Sequence, residues 1–362
     1  MDQDALNVIF SDNVKYVSCL YNFLVTLPDN FSLDEMKKNY LSLDGYKDFQ
    51  QIYSNSYIVH FSSKDKPWKT RGVRFSEYWN RYYLESKAYE KNLFFHHEIK
   101  KFLLEKEIIL SFTSFPKRIN LMEDVIAKLL NQSYRPNKII LWLAKDQFPN
   151  KEKDLPNYLK NIDGNNFYIE WCEDIKSYKK LVPSLRIFKD ATVVTCDDDI
   201  LYDKNWLLEL VAEYLKNPEV IHCHRAHEIS LDTENMPLTY KKWRRNTKNE
   251  KISYRNFFTG CGGVLYPQNT FDKRVLDSEK FMNICSHGDD IWFWGMAVMN
   301  KKKINVIQNS CFKLTHSPHT QDDALWIEND QGGRNDVMLK NLFTEFNELN
   351  NVLGNESLTD LD

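Results

Sequence analysis

Three consecutive aspartates, Asp197, Asp198 and Asp199, follow a run of small and β-branched residues in 192-TVVTCDDDILYDKNWL-207. Adjacent carboxylates repel, and burying them unpaired at a strand end is costly. A hard divalent cation, Mg2+ or Mn2+, satisfies such a cluster through oxygen ligands and supplies the missing positive charge. The plain alternative is a solvated acidic turn or a helix N-cap. A second acidic pair, Asp289 and Asp290, stands in 286-SHGDDIWFWG-295, where a Gly-Asp-Asp turn opens an aromatic helix. Helix N-termini favour such residues through free amides and the dipole. A carboxylate within reach of a hydroxyl can also act as a general base.

Other candidates are weaker alone. The run 259-TGCGGVLYP-267 has three glycines that permit close backbone approach, without P-loop spacing; a tight turn before a strand explains it equally. His316 ends 311-CFKLTH-316, with His319 nearby. The cluster 222-HCHRAH-227 lacks the paired spacing of a zinc site, and strand alternation puts His222 and His224 on one face, read as a cleft lining. Arg118, Lys179 and Lys180 are cations near strand ends, suited to a diphosphate or to a solvated surface. The stretch 327-IENDQGGRND-336 reads as a flexible loop whose Arg334 suits a phosphate. Trp292 and Trp294 either stack on a sugar or pack in the core.

The elements that must position these residues follow a pattern. From about residue 106, strands are expected at 107–116, 138–144, 166–172 and 191–196, with helices at 120–132, 177–188 and 206–217. Strand-like pieces follow at 219–229 and 304–316, and a helix over 287–300. Such alternation indicates a mostly parallel sheet, and ligands bind these sheets at the carboxyl ends of strands. The fold class is therefore α/β: a Rossmann-like, mixed, mostly parallel sheet flanked by helices. Residues 1–100 carry short strand-like pieces and polar aromatic helices, an α+β appendage. The expected division is 1–100, 101–345 and a loose polar tail over 346–362.

Composition narrows the function. A formal net charge of −3 argues against a nucleic-acid partner, which needs a basic surface. Seven cysteines, odd in number and without a Cys-x-x-Cys pair, read as reduced core thiols of a cytosolic protein. Residues 1–30 lack a signal-peptide pattern, and no apolar run reaches membrane-span length. The expected location is cytoplasmic, with membrane contact only peripheral, at the inner face of the cell membrane.

The segment 191-ATVVTCDDDILYDKNWLLELVAEYLKNPEVIHCHRAH-227 resembles nucleotide-sugar glycosyltransferases of the GT-A fold, and 109-ILSFTSFPKRI-119 is similar to their first strand and nucleotide-binding loop. The resemblance spans roughly residues 106–340 and is best to bacterial transferases of capsule or lipopolysaccharide clusters. It implies a DxD motif with Asp199 as direct metal ligand, Asp197 facing ribose or metal, Asp198 assisting, and His316 as a late ligand to Mn2+ or Mg2+. It implies donor contacts from Ser111, Thr113, Arg118, Asp174, Lys179, Asp197, Asp198, Gly262, Gly263 and Arg334. Asp290 becomes the base that takes the acceptor proton in an inverting reaction, with Asp289 orienting the acceptor; the two roles could be exchanged. The implied partners are a nucleotide-sugar donor and a glycan or lipid-linked glycan acceptor.

A second resemblance lies at the start. The stretches 2-DQDALNVIFSDNVKYVSCLYNF-23 and 58-IVHFSSKDKPWK-69 look like the C-terminal part of a family 8 glycosyltransferase, with His60 and Lys66 at its metal and diphosphate positions. The front of that domain, with its own DxD, is absent. Residues 1–100 are therefore expected to be a catalytically silent remnant. Two rivals stand beside the transferase. A phosphosugar or nucleotidyl transferase would release pyrophosphate or a nucleoside monophosphate; a degenerate glycan-binding module would bind glycan without metal.

Overall fold

A computed structural model of the chain describes residues 107–359 apart from 161, 163–165, 235, 249, 309 and 321–326. Of the first 106 residues it describes Phe23–Leu24, Asp34, Lys47 and Val59–His60. The chain divides into two compact units, Met1–Asn92 and Leu93–Asp362. In the first, β1 (Phe23–Leu24) pairs in parallel with β2 (Val59–His60), Leu24 opposite His60. Lys66 lies outside the described residues.

The second unit is built on a seven-stranded mixed sheet. Its strands are β3 (Ile108–Thr113), β4 (Lys138–Ala144), β5 (Phe167–Cys172), β6 (Thr192–Thr195), β7 (Ile221–Cys223), β10 (Val264–Tyr266) and β11 (Ile304–Val306). The order is β11-β7-β10-β6-β3-β4-β5. Strands β6, β3, β4 and β5 run parallel, whereas β10 is antiparallel to both its neighbours. The central strands are near-continuous apolar runs (IILSFT, KIILWLA, TVVT) because both faces are covered. Edge strand β5 alternates, leaving Tyr168 and Glu170 exposed.

Among the described residues the longer helices are α1 (Glu123–Leu130), α2 (Val182–Ile187), α3 (Trp206–Lys216), α4 (Ser278–Ile284), α5 (Asp289–Met299), α6 (Arg334–Glu345) and α7 (Glu348–Thr359). Helix α5, DDIWFWGMAVM, is apolar nearly all round and sits in the main core cluster. Trp292 and Trp294 are fully buried there and donate to Val275 O and Tyr254 O, so they are core residues and not sugar platforms.

Three expectations on elements need correction. The helix over 177–188 is split into a 3-10 turn (Lys176–Lys180) and α2, because Pro183 begins a new helix and cannot continue one. The strand over 219–229 is also two: β7 joins the main sheet, while β8 (Ala226–Glu228) pairs with β9 (Asn256–Phe258). The tail expected to be loose forms α7, whose Leu349, Val352, Leu353 and Glu356 are buried at helical spacing. Glu356 accepts from Ser253 Oγ at 2.7 Å and Tyr254 N at 2.9 Å, and pairs with Lys303 at 3.1 Å. Leu353→Ala should therefore cost about 2–5 kcal/mol of stability, read as a lowered urea midpoint; an unchanged midpoint would mean that α7 does not share the core.

Candidate functional site

The chain passes β3, β4 and β5 on one side of β3, then returns to lay β6 on the other. Between the carboxyl ends of β3 and β6 the connections diverge, and sheets of this kind take ligands in the crevice at such a switch point. The loop after β3 carries Arg118, and the loop after β6 carries Asp197, Asp198 and Asp199. An isolated antiparallel bridge, Ile200 with His316, draws the late histidine to this loop. Leu201 N donates to Thr315 O at 2.8 Å and Ser317 N to Asp199 O at 2.7 Å.

Two cations answer the three aspartates. Arg118 Nη1 lies 3.0 Å from Asp198 Oδ1 and 3.0 Å from Asp199 Oδ2. Burial works against the Arg118 charge, but Asp198 and Asp199 outweigh it and hold its pKa up. Burial pushes the Asp198 carboxyl up to about 6, with Arg118 opposing.

The second cation, Lys180, is buried and reaches three carboxylates. Its Nζ is 3.1 Å from Asp197 Oδ1, 2.8 Å from Asp289 Oδ2 and 3.7 Å from Asp290 Oδ1. Burial disfavours its charge, and the three carboxylates overcome that and raise its pKa well above the ordinary lysine value. Asp289 and Asp290 are the first two residues of α5, where the helix dipole adds its own support. Asp290 Oδ2 also accepts from Gly260 N at 2.8 Å. Desolvation pushes the Asp290 carboxyl up to about 7, Lys180 pulling the other way. Its side chain keeps 27% of its surface exposed, while its Oδ1 is buried without a hydrogen-bond partner.

Several expected site residues act from behind. Ser111 is fully buried in β3; its hydroxyl donates to Lys180 O at 2.7 Å and lies 2.8 Å from Ser184 Oγ. It therefore anchors the Lys180 peptide and does not face a donor. Thr113, at the end of β3, donates to Trp142 O at 2.8 Å. Lys179 pairs with Asp174 at 2.5 Å, and Asp174 also accepts from Gln147 Nε2 and Lys176 N, all just beyond the carboxyl end of β5. In the sheet, β3 and β4 stand between β5 and the strand that leads to Asp197.

The glycine run is a tight turn. Gly262 and Gly263 are buried against protein: a Cβ on Gly262 would meet Arg225 Cβ at 2.6 Å, and one on Gly263 would meet the Trp206 ring at 2.2 Å. Gly263 also has φ +84°, the left-handed region that glycine alone occupies cheaply. They do not cradle a donor. The glycine that matters to the acidic centre is Gly260, where a Cβ would fall 2.6 Å from Lys180 Nζ and 2.8 Å from Asp290 Oδ1.

Arg334 opens α6 and pairs with Glu328. The segment read as a flexible loop is a π-helical turn, Ile327–Gln331, followed by α6. Asn329 Nδ2 on His287 O and the two-pronged Arg245–Asp330 pair at 2.7 and 2.8 Å fix it. His222 and His224 are buried, not cleft-lining: His222 Nε2 is 2.9 Å from Asn217 O, and His224 Nε2 is 2.8 Å from Trp206 O. Burial lowers the His224 pKa to about 4, which keeps it neutral. The described cysteines are all free thiols; Cys19 lies outside the described residues.

Among the described residues, no group of three or more His, Cys, Asp and Glu side chains is arranged to hold a metal ion. The donor chemistry nonetheless fits one. Asp197 and Asp199 offer hard carboxylate oxygens, and the buried Nδ1 of His316 has no hydrogen-bond partner. Also among the described residues, no helix is long and apolar enough to cross a membrane.

Comparison with known proteins bears on these features. Residues 1–72 match the family described as glycosyl transferase family 8, a similarity that lies within the first unit. No curated protein matches the chain significantly. Among solved structures, S. aureus TarS 1-349 is 13% identical over 57% of this chain and 58% of that one, with a TM-score of 0.37. The same protein in complex with UDP is 12% identical over 56% and 58%, with a TM-score of 0.34. This chain thus spans under two thirds of those structures. At such scores the likeness is loose, and the α/β architecture rests on the sheet itself.

Lys180→Met leaves three carboxylates without their shared cation, and breaking such a buried cluster costs about 3–5 kcal/mol. The loss should be largest at pH 8 and shrink toward pH 5, because without the ammonium the Asp290 carboxyl, already pushed up by desolvation, takes up a proton as the pH falls. Urea unfolding of both proteins at the two pH values measures this. A difference independent of pH would mean that Lys180 contributes packing rather than charge.

Proposed function

We propose that the second unit is a metal-dependent glycosyltransferase of the GT-A kind. It moves a sugar from a nucleoside-diphosphate donor to a glycan hydroxyl with inversion. One observation supports this above the rest: the acidic loop at the sheet's switch point and the acidic start of α5 meet on a single ammonium, Lys180. Leaving-group and acceptor chemistry need two such acidic elements side by side.

In this reading the diphosphate end of the donor lies along the loop after β6, and the acceptor hydroxyl lies against Asp290. The hydroxyl oxygen attacks the anomeric carbon. Its proton passes to the Asp290 carboxylate, and the bond from carbon to phosphate oxygen breaks with its electron pair on the leaving diphosphate. Asp289 and Lys180 hold Asp290 in place, and the nearby ammonium keeps that carboxyl from rising further, so it is deprotonated above neutral pH. A divalent cation held by Asp199, Asp197 and His316 would supply Lewis-acid stabilisation of the leaving group. Arg118, in the loop after β3, stands beside the acidic loop and can contribute to the donor side; Thr113, Asp174 and Lys179 are engaged with other partners and take no donor role in this reading. The acceptor class, a capsule or lipopolysaccharide glycan assembled at the inner face of the membrane, follows from the sequence resemblance. The first unit takes no part in turnover in this proposal.

Calorimetry with UDP, GDP, CMP and dTDP, with and without Mn2+, tests the donor side. One nucleotide should bind in a Mn2+-dependent manner and lose that binding in Asp199→Ala; binding of none of them would sink the proposal. On the acceptor side, Asp290→Asn should retain donor binding and lose about 10²–10⁴ in turnover. The wild-type rate should climb with pH through about 7, since the base works only when deprotonated. A rate flat from pH 5 to 9 would remove Asp290 from that role. His60→Ala should leave turnover unchanged; a loss as large as that of Asp199→Ala would return the activity to the first unit.

A further inference from the structure

Arg118 has more contacts than a simple donor-binding residue would need. Its Nη1 serves Asp198 and Asp199 at 3.0 Å each, and its Nη2 donates to Thr320 O at 2.8 Å. Its side chain is only 11% exposed, and its guanidinium carbon lies 5.3 Å from the centre of the Phe115 ring. The fork that matches phosphate oxygens is thus turned onto the aspartates. Asp197, meanwhile, is held separately by Lys180. Next to this locked loop, the buried Nδ1 of His316 lacks a hydrogen-bond partner, although its backbone is bridged to Ile200.

A guanidinium 3.0 Å from Asp199 Oδ2 and a divalent cation held by that same carboxylate would repel each other strongly. Binding of one must loosen the other. Released from the aspartates, Arg118 remains at the carboxyl end of β3, on the same crevice, with its fork free for an anion. We propose that Arg118 is a resident counter-ion: it competes with the divalent cation for Asp199, the carboxylate the two share, and turns to the donor diphosphate once the cation is bound. This rests on the transferase reading above and adds an order to it. Metal alone binds weakly, and metal with a nucleoside diphosphate binds well because the displaced guanidinium gains a new partner. The two ligands are thereby coupled, and by linkage each strengthens the other equally.

The test is binding, not turnover. Mn2+ alone is titrated into the full chain and followed by the electron paramagnetic resonance of the free ion; UDP, GDP and dTDP are then titrated at saturating Mn2+. Arg118→Gln should bind Mn2+ alone about tenfold more tightly than wild type, and the nucleoside diphosphate about tenfold more weakly, a coupling of ordinary size. Arg118→Lys keeps the charge without the fork and should fall between, so it decides the matter if the glutamine variant does not fold. Equal or weaker Mn2+ binding in the folded variants, with wild type still binding metal and nucleotide, would overturn this inference alone. Wild type that takes up no Mn2+ even with nucleotide present would overturn the metal reading and this proposal together.

Discussion

The ammonium of Lys180 is the interaction on which the acidic centre depends. It is taken out of water, at a cost of several kcal/mol for an isolated ion, and it survives there because Asp197, Asp289 and Asp290 surround it. The neighbouring structure serves that arrangement. Ser111 in β3 fixes the Lys180 peptide through its carbonyl. Gly260 leaves the space that a Cβ would close. Helix α5, buried nearly all round, brings its N-terminus to the ammonium, so its first turn cannot drift without exposing tryptophans. The same charge that holds the parts together also opposes the desolvation that pushes the Asp290 carboxyl up.

Arg118 completes a division of labour. Five carboxylates (Asp197, Asp198, Asp199, Asp289, Asp290) face two cations, and each cation arrives from a different element. Lys180 comes from the turn before α2, buried and tied by its backbone; Arg118 comes from the loop after β3, held by its side chain. Buried and surrounded, Lys180 is the structural cation. Arg118, whose removal exposes a pair rather than the heart of the cluster, is the one that can move. Surplus negative charge at a strand-end crevice is a demand for a cation, whichever ligand supplies it.

Much of the scaffold was legible in the sequence. The apolar runs of β3, β4 and β6 are nearly unbroken because both sheet faces are covered, and 192-TVVTCDDD-199 announces a strand delivering charge to a loop. Less legible were positions where one residue changes the outcome. Pro183 divides a helix that periodicity alone reads as continuous. The tail looked polar because its buried face, Leu349, Val352, Leu353 and Glu356, includes a charge answered by residues far back along the chain, Ser253, Tyr254 and Lys303. Within the site, the acidic loop, the Gly-Asp-Asp turn and His316 could be named individually. Lys180 stood out only as a cation next to Lys179, because no local pattern tells which of two adjacent lysines turns inward. Gly262 and Gly263 looked like a cradle for the opposite reason: glycine gives the same signal for a ligand and for a tryptophan, and here Trp206 fills the place.

The family match and the acidic centre belong to different parts of the chain. The match covers residues 1–72, within the first unit, whereas every carboxylate of the centre lies between residues 197 and 290, in the second. The family description therefore cannot carry the chemistry of the second unit, however apt the word glycosyltransferase proves for both. What carries it is physical. A parallel sheet that reverses its strand order offers a crevice, the crevice holds two acidic elements that meet on one lysine, and one of their carboxylates sits near neutrality because it is desolvated. Structural ion pairs shift carboxyl groups too, and what the proposed transfer adds is a use for one that is poised in that way and partly open to solvent.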